Sequence, residues 1–293
     1  MDISVIIVTY NSADHVAACL RSVMSQSGVM FETIVVDNDS QDDTLAQLAG
    51  FNVKAISSGE NLGFGRGCNL GFASSTGRYV YLLNPDAQLE GNKALAKLCQ
   101  MMDSHPQWGM AGTRILSAGG NSESPPATEY PAERHVHRDF SKLPGKVAWI
   151  LGASMVVRRG LYVRLGGFDP AFFLYSEETD FCLRIREAGF EIGHVLEVAV
   201  KHIGGASENS RDPYDISKRK LEGLMRFRQK HYSREDCVFL AKRDLRRAGW
   251  RVSWNHLLAL FQPRHSTAWR KGRNYRAVRE VSREYLAQAK AKM

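Results

Sequence analysis

The chain has 293 residues, 44% hydrophobic and 24% charged, enough for one large domain or two modest ones, and its 25 Gly and 9 Pro exclude collagen-like and low-complexity classes. No apolar run approaches the roughly 18 residues of a membrane span, and Met1 leads straight into Ile3–Val8 with no basic leader or small-residue cleavage site, so no secretion signal is expected. The net charge is +8, yet residues 241–293 hold 14 Lys and Arg against 3 Asp and Glu, so the basicity belongs to the C-terminal segment and the remainder is mildly acidic.

Residues 3–8 form a continuous, largely β-branched run, the pattern of a strand buried on both faces. Asn11-Ser12 offers a cap for a helix over Ala13–Met24. A second strand over residues 32–36 ends in Asp37-Asn38-Asp39-Ser40, and a helix from Asp42 to Leu48 follows. Phe51–Ile56 reads as a third strand and Tyr79–Leu83 as a fourth. Strands alternating with helices predict an α/β fold of parallel β-α units, with ligands bound beyond the carboxyl ends of the strands. Polar clusters fall there: Thr9-Tyr10-Asn11, Asp37-Asn38-Asp39 and Asn84-Pro85-Asp86. Residues 117–146, rich in Ser, Gly, Pro and charge, predict a long loop, functional or disordered. Trp149–Val157 is apolar again, Glu178–Ala188 fits a helix ended by Gly189, Val195–Val200 a late strand running into His202, and Asp215–His231 an amphipathic helix.

Five side-chain groups could carry chemistry. Asp86 closes a strand, where a carboxylate suits Mg²⁺ with substrate phosphates; the competing reading is a turn Asp after Asn-Pro. Asp37 could accept hydrogen bonds from a base or ribose, or simply cap a turn. Asn61–Gly67 is a Gly-rich approach to a helix that could bring backbone donors and Arg66 to a phosphate, or only allow tight helix–sheet packing. Glu177-Glu178-Thr179-Asp180 is the densest acidic cluster and follows the aromatic run Phe172–Tyr175; a general base or ordinary N-terminal helix charge both fit. His202, at a strand end before Gly204-Gly205, could ligate a metal. His135 and His137 have no clear partners. The five cysteines never form a CxxC pair, which argues for a reducing compartment and against a zinc or disulfide framework.

In order along the chain, Ser4–Asn11, Val35–Ser40, Asn61–Phe64, Leu83–Asp86, Gly166–Asp169, Phe173–Asp180 and Arg184 resemble the motifs of inverting family 2 glycosyltransferases, and bacterial rhamnosyltransferase-like enzymes of polysaccharide assembly in particular. The resemblance covers about residues 1–232. It implies a GT-A fold, a Rossmann-like and mostly parallel sheet with helices on both faces, in a domain of residues 1–232. That domain would have a nucleotide-binding half (1–115) and an acceptor half (116–232), with a basic helical extension over 233–293. It implies that Thr9, Tyr10, Asn11 and Asp37 hold the nucleotide, with Arg66 and Asn69 near the diphosphate or ribose. Asp86 matches the last Asp of the metal motif, with Asn84 where the first usually stands, and His202 completes a Mg²⁺ or Mn²⁺ site. Glu178 matches the catalytic base, with Glu177 and Asp180 as alternatives, while Trp149 and Gly152 would face the acceptor. The implied activity transfers a sugar, rhamnose from dTDP-rhamnose in the first instance, or a UDP-linked GlcNAc, Gal or Glc, to a glycan or lipid-linked acceptor, with loop 117–146 as a lid.

The C-terminal segment interleaves Trp250, Trp254, Leu257, Leu258, Leu260 and Phe261 with Arg246, Arg247 and Arg251. A basic amphipathic helix of this kind predicts an anionic membrane surface as partner, at the cytoplasmic face; packing on the core and an oligomer interface are the competing readings. Nucleic acid is not expected. Two other classes are weaker. A nucleotidyltransferase needs its Gly-rich loop after the first strand, where Thr9–Ser12 stands, and a polyanion-binding protein leaves Asp37, Asp86 and residues 177–180 unexplained.

Overall fold

The computed structural model describes residues 1–204, 212–259 and 267–291, with the side chains of 250 and 252–270 outside the description. Leu260 and Phe261 therefore lie outside the described residues, as do the side chains of Trp250, Trp254, Leu257 and Leu258. No described helix is long and apolar enough to cross a membrane.

The first part alternates as its sequence predicts: β1 (Ile3–Thr9), α1 (Ala13–Met24), β2 (Phe31–Asp37), α2 (Thr44–Gln47), β3 (Lys54–Ser57), α3 (Phe64–Ala73) and β4 (Tyr79–Leu83). All seven residues of β1 are buried. Its odd positions Ile3, Val5 and Ile7 enter a core with Val16, Leu20 and Val23 of α1, while Ile6 and Val8 enter a second core with Cys68 of α3. A strand with period-two side chains thus feeds two cores, and helices cover both faces.

Then follow β5 (Ala87–Leu89), α4 (Ala94–Ser104), β6 (Trp108–Ser117), β7 (Glu123–Ser124), β8 (Ser154–Arg158), α5 (Arg159–Arg164), α6 (Glu177–Glu187) and β9 (Glu191–His202). Among the described residues nine strands form one sheet, ordered β3-β2-β1-β4-β8-β6-β9-β5, with β7 beside β6. The first four strands pair in parallel; β8 enters antiparallel between β4 and β6, and β9 runs parallel to β6.

Several expectations change. The third strand starts at Lys54, because Phe51 and Val53 turn inward to pack on the core beneath it. The helix from Asp42 shrinks to Thr44–Gln47, because the Asp42 carboxylate accepts from Thr44 N and from Ala13 N at 3.1 Å. That last bond caps α1 from another loop, so Ser12 stands at the cap position without a side-chain cap of its own. α4 and β6 were not anticipated. β6 carries Gly109 and Gly112, poor strand formers, because a Cβ at Gly109 would lie 2.5 Å from Leu161 Cδ2 and one at Gly112 3.0 Å from Ile150 Cγ2.

Loop 117–146 is fastened at several points. Arg186, 6% exposed, donates to the carbonyls of Pro144 (2.9 Å), Leu143 (3.3 Å) and Gly145 (2.9 Å) and to the Tyr130 hydroxyl (3.2 Å). The chain divides into two compact units: Met1–Tyr130, Lys142–Phe173 and Glu177–Ser207 in one, Pro131–Ser141, Leu174–Ser176 and Glu208–Met293 in the other. The second unit holds α7 (Pro213–His231), α8 (Arg234–Ala259) and α9 (Thr267–Ala291). The helix ending at His231, assigned from sequence to the first 232 residues, thus groups with the C-terminal helices. Met225, Ala241 and Val281 form a core there with Leu221, Tyr285 and Leu286, and Arg228 pairs with Asp244 at 2.7 Å. Segment 131–141 is tied to the same unit: Tyr232 Oη donates to Pro131 O at 2.6 Å, and His137 Nδ1 meets Asp236 Oδ1 at 2.6 Å. His137, without a clear partner in the sequence, has one in the fold.

Candidate active site

The carboxyl ends of β2, β1 and β4 lie side by side, since β1 pairs with both neighbours in parallel and Thr9 stands level with Asp37. Thr9 Oγ1 donates to Asp37 Oδ1 at 3.0 Å, and Ser40 gives the same carboxylate its hydroxyl (2.6 Å) and its N–H (3.0 Å). Asp37 is 2% exposed, and three of its roughly four lone-pair sites are filled. The loops are laced further: Asn11 N donates to Ser40 Oγ at 2.9 Å, and Gln41 N donates to Asn11 Oδ1 at 2.8 Å. Asn11 and Asp39 take φ of 49° and 64°, left-handed positions that short polar side chains tolerate. Tyr10 is half-buried.

β5 runs antiparallel to β9 with Ala87 opposite His202, which brings the two distant motifs together. His202 Nε2 lies 3.2 Å from Asp86 Oδ1 and 3.3 Å from the Asn84 side-chain nitrogen; Gly204 N donates to Asp86 Oδ2 at 3.1 Å. One nitrogen cannot donate to the carboxylate and accept from the amide in the same tautomer. With imidazole neutral and the Asn84 amide turned over, Asp86, His202 and Asn84 each offer a lone pair within this cluster. Two ligands of one octahedral Mg²⁺ or Mn²⁺ stand roughly 3 Å apart, so this donor set fits such a cation. It is lean: among the described residues no group of three or more His, Cys, Asp and Glu side chains could hold a metal. Asn84 in place of an acid is the reason.

Gly63 has φ 79°, and a Cβ there would lie 2.0 Å from Phe173 O; its carbonyl accepts from Asn38 Nδ2 at 2.9 Å. Gly67 and Gly71 face Val8 and Ile6 of β1, where a Cβ would come within 2.7 and 2.6 Å. These two glycines serve close helix–sheet packing, while Gly63 sets the start of α3. Arg66 Nε donates to Leu62 O at 2.8 Å, and its terminal nitrogens make no hydrogen bond to a described residue. Asn69 is committed internally: Oδ1 accepts from Tyr162 Oη (2.6 Å) and Phe168 N (3.0 Å), and Nδ2 donates to Phe168 O (2.8 Å).

Tyr175 and Ser176, with φ of 73° and 68°, enter α6 through two successive left-handed residues, strain of about 1–3 kcal/mol each. The three acids that follow have different surroundings. Glu177 is 4% exposed, and burial, then the Glu178 charge beside it, hold its carboxyl well above the usual range; its Oε2 has no hydrogen-bond partner. Asp180 is fully buried and accepts from Arg184 Nε at 2.8 Å, while Arg184 also donates to Leu165 O and Gly167 O. Glu178 is half-buried. A Cβ on Gly152 would touch Phe64 Cε1 at 3.6 Å and Glu178 Cβ at 3.9 Å, and the next residue, Ala153, accepts from Asn84 N at 3.0 Å. Gly152-Ala153 therefore bridges the Asn84–Asp86 turn to Glu178. Trp149 donates its indole N–H to Glu129 O at 3.2 Å, with its ring half-buried. Sequence reading missed Arg186, because its partners lie 41 to 56 residues upstream and leave no local pattern.

The profile of glycosyl transferase family 2 matches residues 4–166. The chain is 29% identical over 215 residues to a low-salt glycan biosynthesis hexosyltransferase of Haloferax volcanii, covering 69% of this chain and 67% of that one. It is 28% identical over 244 residues to an N-acetylglucosaminyl-diphospho-decaprenol L-rhamnosyltransferase of Mycobacterium tuberculosis, covering 71% and 78%. Its fold superposes on a mannosyltransferase of Pyrobaculum calidifontis, in complex with GDP-Man and Mn²⁺, with a TM-score of 0.58 at 17% identity over 99% of this chain and 75% of that one.

Proposed function

From the membership of this chain in glycosyl transferase family 2, we propose that it is an inverting enzyme that moves rhamnose from dTDP-rhamnose to a glycan or lipid-linked acceptor during polysaccharide synthesis. What carries the reading is the segment Gly152-Ala153, which bonds the strand-end turn holding Asp86 through Asn84 N and runs beside Glu178. An L-rhamnosyltransferase among the relatives supports the sugar, and its diphospho-decaprenol acceptor supports a lipid-linked one.

In this scheme the crevice at the ends of β1, β2 and β4 takes the nucleotide. Asp37 keeps about one lone-pair site for a ribose hydroxyl. The first-turn N–H groups of Gly65 and Arg66 in α3 and the Arg66 guanidinium face the diphosphate. Asp86 and His202 would hold Mg²⁺ or Mn²⁺, as Mn²⁺ accompanies the nucleotide sugar in the archaeal structure, and the cation would neutralise charge growing on the leaving diphosphate. Glu178 takes the proton of the acceptor hydroxyl as that oxygen attacks the anomeric carbon from the side opposite the diphosphate, and configuration inverts. Asp180 holds Arg184 and the 165–167 turn, and Glu177, buried and favouring its protonated form, leaves the negative charge on Glu178.

A panel of sugar nucleotides with and without Mn²⁺, read by thermal shift, tests the reading, because a donor at a hundred times its Kd stabilises by about 2.7 kcal/mol. The largest shift is expected with dTDP-rhamnose and Mn²⁺. A larger one with a UDP-sugar would reassign the donor, and no shift with any of them would overturn the reading.

A further inference from the structure

The outward face of α8 carries a stripe that neither core nor catalysis uses. Cys237, Leu240, Ala241 and Ala248 of this helix are buried, which fixes its inner side. On the other side Phe239 stands 53% exposed, with exposed Lys242 one turn further on and Arg246 one turn beyond that, and Arg247 beside it. Spacings of three and four put Phe239, Lys242 and Arg246 on one helical stripe. The acid of this stretch, Asp244, is turned inward to Arg228 at 2.7 Å, and Lys242, Arg246 and Arg247 form no ion pair with a described residue. From Phe239 to Arg247 the face is one aromatic ring amid cations, with Glu235 the acidic neighbour a turn before it.

We propose that this face of α8 docks on an anionic lipid surface: Phe239 enters the acyl boundary, and Lys242, Arg246 and Arg247 meet headgroup phosphates. Attraction of unpaired cations to anionic lipid, with an exposed aromatic to enter the interface, is how a helix face binds a bilayer surface. The charge is unevenly used in the way this requires, since Arg228, Lys218 and Arg273 of the same unit are neutralised by Asp244, Glu280 and Asp212. The docking is independent of which sugar is transferred.

The test is flotation of the full chain with vesicles of phosphatidylcholine alone and of phosphatidylcholine with phosphatidylglycerol. The chain should partition onto the anionic vesicles, release as salt rises, and ignore the neutral ones. K242E/R246E should lower partitioning at least roughly tenfold, and F239A should lower it severalfold without changing its salt dependence. K242Q/R246Q gives the same direction if charge reversal lowers the melting point. Donor-induced thermal shifts should be unchanged in every variant, which separates this result from any failure of the proposed activity. Equal binding to both vesicle types, no binding to either, or wild-type binding by all the variants would each overturn the proposal, as would binding to heparin without binding to vesicles.

Discussion

Replacing Asp180 with Ala separates the three acids of α6 by what each loses. Asp180 is fully buried and Arg184, its partner, has a side chain 16% exposed. Removing the carboxylate leaves a mostly buried guanidinium with the Leu165 and Gly167 carbonyls and the Phe181 ring but without its counter-charge. Breaking a buried pair by one partner costs about 3–5 kcal/mol. At about 2–4 °C per kcal/mol for a domain of this size, the melting temperature should fall by on the order of 10 °C. Asp180→Asn keeps the volume and an acceptor for Arg184 Nε, so it should lose about half as much. The assay is thermal unfolding by circular dichroism, paired with transfer rate measured below the transition. Asp180→Asn should melt early yet turn over while folded. A variant with native melting and no turnover would place Asp180 on the substrate and refute the division of roles.

Glu178→Gln should lower turnover by about 10²-fold or more with donor affinity and melting unchanged, and near-native turnover in steady-state kinetics would move the base to a neighbour. Asp86→Ala should remove the Mn²⁺-dependent part of nucleoside-diphosphate binding in calorimetry while the sheet stays folded; unchanged affinity in Mn²⁺ would count against the cation site. Glu177 has a folded pKa raised above its ordinary 4.5 by burial and then by Glu178, so the folded chain holds this proton more tightly than the unfolded one. The stability this gives is present below about pH 4.5 and is lost as pH climbs toward the folded value. The Glu177→Gln variant should therefore gain on the wild type as pH rises above about 4.5, the ordinary value; parallel melting curves would refute it.

The parallel half of the sheet was legible because its strands are buried on both faces and read as unbroken apolar runs, as Ile3–Thr9 does. The strand-end polar clusters were legible for the same reason, since each interrupts such a run. β6 was not, because its glycines answer to Leu161 and Ile150, residues some 40 to 50 positions away. The resemblance puts Asn69 near the diphosphate or ribose, and in the fold its amide bonds Tyr162 and Phe168. The family resemblance put Asp86 and His202 in one site, and the antiparallel pairing of β5 with β9 is what brings them within 3.2 Å. Residues 117–146 read as a long loop from composition, but composition does not show a buried arginine such as Arg186 reaching back to hold it.

α6 has three consequences of position stacked along it: Glu178 at its start, the Asp180–Arg184 pair one turn on, and the Arg186 clamp at its end. Each depends on an azimuth, and one residue inserted or deleted turns everything beyond it by about 100° and slides it 1.5 Å. A change of length between 178 and 186 would aim Arg186 away from Leu143–Gly145 or Glu178 away from Gly152, with no repair available from a single substitution. The tip at Gly119–Gly120, exposed and turned by a glycine with φ 70°, carries no such phase. Length variation among functional descendants of this chain should therefore gather at that tip and be absent from the eleven residues of Glu177–Glu187.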